Sequence, residues 1–248
     1  NGGDFALVRY NANGTLDTSF DTDGMVTTSI GAGTDVIRGV AMQPDGNIVV
    51  AGYTYNGANY DFVVARYRPD GSLDPSFDGD GIVVSPIGTA YDYAYSVVVQ
   101  SDGKILVGGE SSNAFALARY NPDGSFDTTF DSDGKVTTLV TGSSYGRAIA
   151  LQGDGKIVAM GYAGNGSNND FAITRYLSNG ALDTTFDGDG KLLAPFGVSV
   201  DDYAYGGVVY PDGRILAVGT SAGDAAVARF TASGAWDTTF DSDGRMTT

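Results

Sequence analysis

Short runs in which apolar residues alternate with small or polar ones recur along the whole chain, each bounded by Gly, Asn or Asp. One set reads MVTTSI from Met25, GVAMQ from Gly39, NIVVAGY from Asn47 and DFVVARY from Asp61. Runs of this length, rich in Val, Ile, Tyr and Phe and closed off by turn formers, predict β-strands.

The runs repeat. Five segments share one template: RYNANGTLDTSFDTDG from Arg9, RYRPDGSLDPSFDGDG from Arg66, RYNPDGSFDTTFDSDG from Arg119, RYLSNGALDTTFDGDG from Arg175 and RFTASGAWDTTFDSDG from Arg229. Their arginines step by 57, 53, 56 and 54 residues. A second landmark, QPDGNIVVAG from Gln43, returns at Gln100, Gln152 and Tyr210. Self-similarity at this spacing is the mark of a propeller or a solenoid. Each unit reads as four strands: the Gly39–Gln43 type, a PDG turn, the Asn47 type, a variable loop, the Asp61 type, the DxxFDxDG turn, and the Met25 type. A single four-stranded meander cannot bury both its faces, so several must pack together as blades. The expectation is an all-β chain, a β-propeller of four-stranded antiparallel blades forming one domain over 1–248. Its repeats are a leading half-blade at 4–30, then 31–87, 88–140, 141–196 and 197–248. That count suits a five-bladed ring or a piece of a longer one. An incomplete blade would also leave an apolar face open to self-association.

The pattern RYxxDGxLDxxFDxDGxVTT with QPDGKIxVxG resembles the delta-60 repeat, a presumed β-propeller repeat of mostly exported bacterial proteins, and its PDGxIxVxG half is similar to the NHL-type repeat. The resemblance implies fold and an extracellular or cell-surface location; it implies no activity. Members often carry Gly where this chain has Asp21, Asp78, Asp131, Asp187 and Asp241, which implies that those carboxylates are not needed to fold.

Composition narrows the chemistry. There are no cysteines and no histidines, so thiol and imidazole catalysis and the usual transition-metal ligands are absent. A formal charge of −16 opposes nucleic acid and anionic membranes, and no apolar run is long enough for membrane insertion. Glu110 is the only glutamate; the other acids are aspartates, which favour turns over helices.

Antiparallel order sorts the connections onto two rims. PDG and DxxFDxDG turns share a monotonous one. The other carries loops that differ from repeat to repeat, where binding residues concentrate. Its candidates for a protein or glycan ligand are Tyr53, Tyr55, Tyr60, Tyr91, Asp92, Tyr93, Tyr145, Asp202 and Tyr203, because tyrosine rings beside amides suit sugars and protein surfaces. On the regular rim, Asp21-x-Asp23, Asp78-x-Asp80, Asp131-x-Asp133, Asp187-x-Asp189 and Asp241-x-Asp243 resemble the opening of a calcium loop but lack its closing carboxylate, and calcium is the one cofactor candidate. The alternative use of these aspartates is to close tight turns. The five arginines point with the apolar side chains, and each is expected to pair with an Asp of its own DxxFD turn. No two acid–base groups fall at a spacing that defines catalysis. The expected function is a non-catalytic extracellular structural or binding module. The alternative is a calcium-dependent carbohydrate binder, or a polysaccharide lyase or glycosidase working through the Tyr/Asp-rich face.

Overall fold

The computed structural model describes residues 3–248. Strands β1 (Phe5–Val8) and β2 (Met25–Thr28) form a two-stranded antiparallel sheet. Four four-stranded sheets follow, each in simple chain order. The first holds β3 (Asp35–Met42), β4 (Ile48–Tyr55), β5 (Tyr60–Tyr67) and β6 (Ile82–Ser85). The second holds β7 (Asp92–Val99), β8 (Ile105–Ser111), β9 (Ala114–Tyr120) and β10 (Lys135–Thr138). The third holds β11 (Ser144–Leu151), β12 (Ile157–Gly164), β13 (Asn169–Tyr176) and β14 (Lys191–Ala194), and the fourth β15 (Asp202–Val209), β16 (Ile215–Ser221), β17 (Asp224–Phe230) and β18 (Arg245–Thr247). Each sheet falls within one expected repeat, and the fold is the all-β, blade-built one read from the pattern. No helix among the described residues is long and apolar enough to cross a membrane. The residues group into two compact units, Asn1–Val107 with Arg119–Asp127, and Gly108–Ala118 with Thr128–Thr248.

The middle strands of the first three four-stranded sheets are buried on both faces, whereas β16 and β17 of the fourth alternate buried with exposed or half-buried positions. In β5, for example, Asp61 to Tyr67 are all buried. The first strand of a sheet starts earlier than its sequence announces: β3 begins at Asp35, not Gly39. A bulge explains the difference. Ile37 pairs Gly52 and Gly39 pairs Ala51, leaving Arg38 as the extra residue; Arg147 and Tyr205 are its counterparts in β11 and β15. A bulge bends the strand and re-aims one side chain. It also crowds the partner strand. A Cβ on Gly52 would lie 1.8 Å from the Val36 carbonyl oxygen, and one on Gly161 2.0 Å from that of Tyr145.

The regular rim behaves as the repeat demands. All five arginines pair with their own aspartate: Arg9–Asp17, Arg66–Asp74, Arg119–Asp127, Arg175–Asp183 and Arg229–Asp237, at 2.7–2.8 Å. Arg66 and Arg175 also lie over the rings of Phe77 and Phe186, both fully buried. Burial works against the charge on Asp74 and Asp183, but the hydroxyl and amide of Ser76 or Thr185 and the arginine together hold each carboxyl below its ordinary range. Asp237 is held down to about 2, chiefly by the Thr239 hydroxyl, with burial opposing and the Thr239 amide and Arg229 adding.

Candidate functional site

The aspartate turns show how their carboxylates are used. The second of each pair accepts the amide two residues on: Asp23 from Met25, Asp80 from Ile82, Asp133 from Lys135, Asp189 from Lys191 and Asp243 from Arg245, at 2.8–3.0 Å. The first sits in the left-handed region, at φ 46–52° for Asp21, Asp78, Asp131, Asp187 and Asp241. Aspartate tolerates that conformation better than most residues, and glycine tolerates it fully, which accounts for their exchange at this position. Burial, then the neighbouring Asp189, raises the carboxyl pKa of Asp187. No cluster of three or more acidic residues able to hold a metal occurs among the described residues.

On the variable rim every expected ligand residue but Tyr91 lies in a strand rather than in a loop. Asp92 and Asp202 are the first residues of β7 and β15 and are wholly buried. Asp92 accepts the Ile87 amide at 2.7 Å and Asp202 the Phe196 amide at 2.8 Å, as Asp35 accepts that of Ile30. Each braces the loop that precedes its strand. A loop-like residue type concealed a strand start.

The tyrosines divide into two groups, one in each unit. In the first, Tyr53 meets Tyr60 and Tyr93 edge-on at 5.3 and 4.9 Å, Tyr55 packs on Tyr60 at 5.3 Å, and Tyr91 stacks with Tyr93 at 6.1 Å. The rings pack on one another, while Tyr55 and Tyr91 also keep 36% and 53% of their surface exposed.

In the second unit Tyr145 lies 5.0 Å from Tyr162, which meets Tyr203 edge-on at 4.8 Å. These three rings, with Ser143, Gly164, Ser167, Asn168, Asn169 and Asp201, line a cavity of about 590 Å³. The repeat alignment explains why it is open. Tyr55 pairs with Tyr60 across the β4–β5 hairpin; the matching pair on β12–β13 is Gly164 with Asn169. Tyr91 precedes β7, and the residue preceding β15 is Asp201. Three rings of the first group are thus replaced by small or polar residues.

The cavity wall is hydrogen-bonded in place. Asp201 accepts the Asn169 amide at 2.9 Å, and Asn169 Nδ2 lies 3.4 Å from both Asp201 Oδ1 and the Tyr203 hydroxyl. Behind it, Asn165 and Asn168 donate to Asp170 at 2.7 and 2.9 Å. Burial raises the Asp170 pKa, the two amides oppose the rise, and Asp202 and Asp201 add to it. The bulge residue Arg147 donates to the Tyr162 hydroxyl at 2.8 Å and to Glu110 at 2.9 Å. Burial raises the pKa of both partners, with Arg147 opposing. Sequence reasoning named Tyr145 and Tyr203 for this face. It missed Gly164, Asn169 and Asp201 as an opening, although a position-by-position comparison of repeats carries that signal.

The fold is shared with known proteins. A catalytically inactive virginiamycin B lyase from Staphylococcus aureus, solved with quinupristin, aligns over 87% of this chain and 59% of its own at 17% identity and a TM-score of 0.51. A protein of unknown function from Bacteroides caccae aligns over 84% of this chain and 68% of its own at 12% identity and a TM-score of 0.51. A gluconolactonase of Xanthomonas campestris aligns over 86% and 64% at 14% identity and a TM-score of 0.46. The chain therefore spans 59% of the lyase's length. The expectation that this chain is no enzyme is corrected by the lyase: an enzyme is built on the same fold, and the lack of a histidine or cysteine nucleophile does not exclude catalysis by aspartate and tyrosine. Among curated proteins none matches the sequence. A family model described as a β-propeller domain of unknown function, DUF5122, matches residues 1–20, 43–77, 100–130, 152–186 and 211–240, in agreement with the delta-60 resemblance. The chain belongs to the DUF5122 β-propeller family.

Proposed function

We propose that the chain binds a hydroxyl-rich ligand, a saccharide, in the cavity between Tyr145, Tyr162 and Tyr203. The observation that carries this is the replacement of three packed rings by Gly164, Asn169 and Asp201. That change opens about 590 Å³ bordered by the remaining aromatic rings, amides and a carboxylate. Ligand cavities commonly have this size, with aromatic area for contact and a few fixed polar groups for orientation. Sugar rings offer apolar C–H faces and peripheral hydroxyls, which such a wall complements. An extracellular or surface location suits such a ligand.

A glycan array followed by calorimetry on the best binder tests the reading, with Tyr145→Ala and Tyr203→Ala as controls. Binding that is weakened in both variants supports it; absence of binding to every glycan class, or binding untouched by both substitutions, refutes it. Cleavage of the bound saccharide is a second reading, favoured by the Asp201 carboxylate and the Tyr203 hydroxyl sharing one wall beside Asn169. Product release that disappears in Asp201→Asn while binding persists would establish it.

A further inference from the structure

The cavity and the packed tyrosine cluster differ in charge as well as in filling. In the packed cluster the bulge residue Arg38 donates to the Tyr53 hydroxyl at 3.0 Å and lies over that ring at 5.7 Å. Among the described residues no carboxylate pairs with it, so its positive charge remains among the rings.

At the cavity the matching bulge residue, Arg147, makes the same two contacts with Tyr162, at 2.8 and 5.1 Å. Here the guanidinium is neutralised. Glu110 on β8, the single glutamate of the chain, accepts from it at 2.9 Å, and both side chains are largely buried.

The second difference is Asp201, which stands where the packed cluster has Tyr91. It is the only charged side chain that lines the cavity. Its Oδ1 is engaged by Asn169, while its Oδ2 has no donor and no lysine or arginine pairs with it among the described residues. Behind it the carboxylates of Asp170 and Asp202 are buried, and Asp170 feels the charges of both Asp202 and Asp201. One oxygen of Asp202, Oδ1, is buried without a donor. The wall is therefore rich in negative charge that nothing nearby cancels.

A carboxylate set among aromatic rings favours a cation twice over. The charged group gains a charge-assisted hydrogen bond, and the ring faces attract it through their quadrupoles. A sugar that offers hydroxyls alone leaves Asp201 with the weaker neutral donor, and an acidic sugar meets like charge.

We infer that the cavity selects an amino saccharide, its free amine beside Asp201 and an apolar C–H face against Tyr145 or Tyr203. Selection of an amine rests on the saccharide reading of this cavity and adds to it the sign of the ligand's charge. An acetyl group on that nitrogen removes the charge and with it the preference.

The methyl glycosides of glucosamine, N-acetylglucosamine and glucose differ only at C2 and carry at most one charge each, so a strongly acidic chain exerts no multivalent pull on them. Titration of the full chain with each, followed by ligand NMR at about 0.1–10 mM, covers the range of weak single-site binding. The amine should bind about tenfold tighter than the other two, and the margin should shrink in about 0.5 M salt. Asp201→Asn, which keeps an acceptor for the Asn169 amide, should abolish the preference. Asp224→Asn removes the same charge at an exposed position of β17 and should keep it. Melting curves show that both variants fold. Equal or weaker binding of the amine, a preference that survives Asp201→Asn, or one that Asp224→Asn removes overturns the amine assignment and leaves the saccharide reading standing. Failure of all three glycosides to bind also overturns it, and the saccharide reading falls as well only if the glycan array is empty too.

Discussion

The two tyrosine-bearing regions occupy the same positions of the same repeat, yet one is filled and the other open. Tyr53, Tyr55, Tyr60, Tyr91 and Tyr93 form a continuous aromatic cluster. At the cavity the middle members are Gly164, Asn169 and Asp201, and Tyr145, Tyr162 and Tyr203 face free space. The comparison separates two uses of one residue type. A ring that touches rings on several sides contributes packing; a ring with one side open is available to a ligand.

Four experiments can break or sharpen that contrast, beginning with the frame beneath both regions. The Arg175–Asp183 pair has 4% and 3% of its side-chain surface exposed, so Arg175→Met strands a buried carboxylate at a cost of about 3–5 kcal/mol. Thermal melting should show a large loss. Arg9→Met, at a pair 30% and 24% exposed, should cost no more than about 1 kcal/mol. Equal losses would contradict the assignment.

Refilling the cavity comes next. Asn169→Tyr with Asp201→Tyr restores the first region's pattern and should abolish saccharide binding by calorimetry while leaving the melting temperature near the wild-type value. Retained affinity would mean that the cavity is not the site.

Single rings should then show opposite signatures. Tyr203→Ala is expected to weaken binding by roughly tenfold, since an aromatic contact contributes about 0.5–1.5 kcal/mol beyond its area, with a modest effect on stability. Tyr93→Ala should lower stability by about 1–3 kcal/mol and leave binding intact. A reversal of the pair would reverse the reading of the two regions.

The smallest effect is that of pH. Asp74, Asp183 and Asp237 have folded-state pKa values below their unfolded value of 3.8, to about 2 for Asp237. The stability they contribute is complete above about pH 5 and is lost as pH falls through 4 toward 2. Asp170, raised by burial, has the opposite sign: its contribution is present below the unfolded value and disappears as pH rises through the folded one. Melting temperature followed from pH 6 to 2 should therefore decline steeply only in the acid limb. A flat profile below pH 4 would remove the arginine–aspartate pairs as a source of stability.

The strands, their order and the arginine–aspartate pairs were legible because every repeat states them again. Arg66, Asp74 and Phe77 recur with fixed spacing, and one copy corrects a misreading of another. The start of β15 was not legible, since Asp202 reads as a turn former and only the bulge at Tyr205 shows that the strand continues through it. The cavity was hidden for a different reason. It exists through what Gly164, Asn169 and Asp201 lack by comparison with Tyr55, Tyr60 and Tyr91, and an absence has no motif.

The forward-reaching contacts of Asp21, Asp78, Asp131 and Asp187 give the array a polarity. Each of these repeats leans on its successor, the four aspartate amides donating to the carbonyls of Asp70, Asp123, Asn179 and Ser233. Nearest-neighbour coupling of this kind makes local opening directional. A substitution that loosens the Gly180 turn should therefore speed deuterium entry at the Asp131 amide of the preceding repeat and leave the Asp187 amide protected.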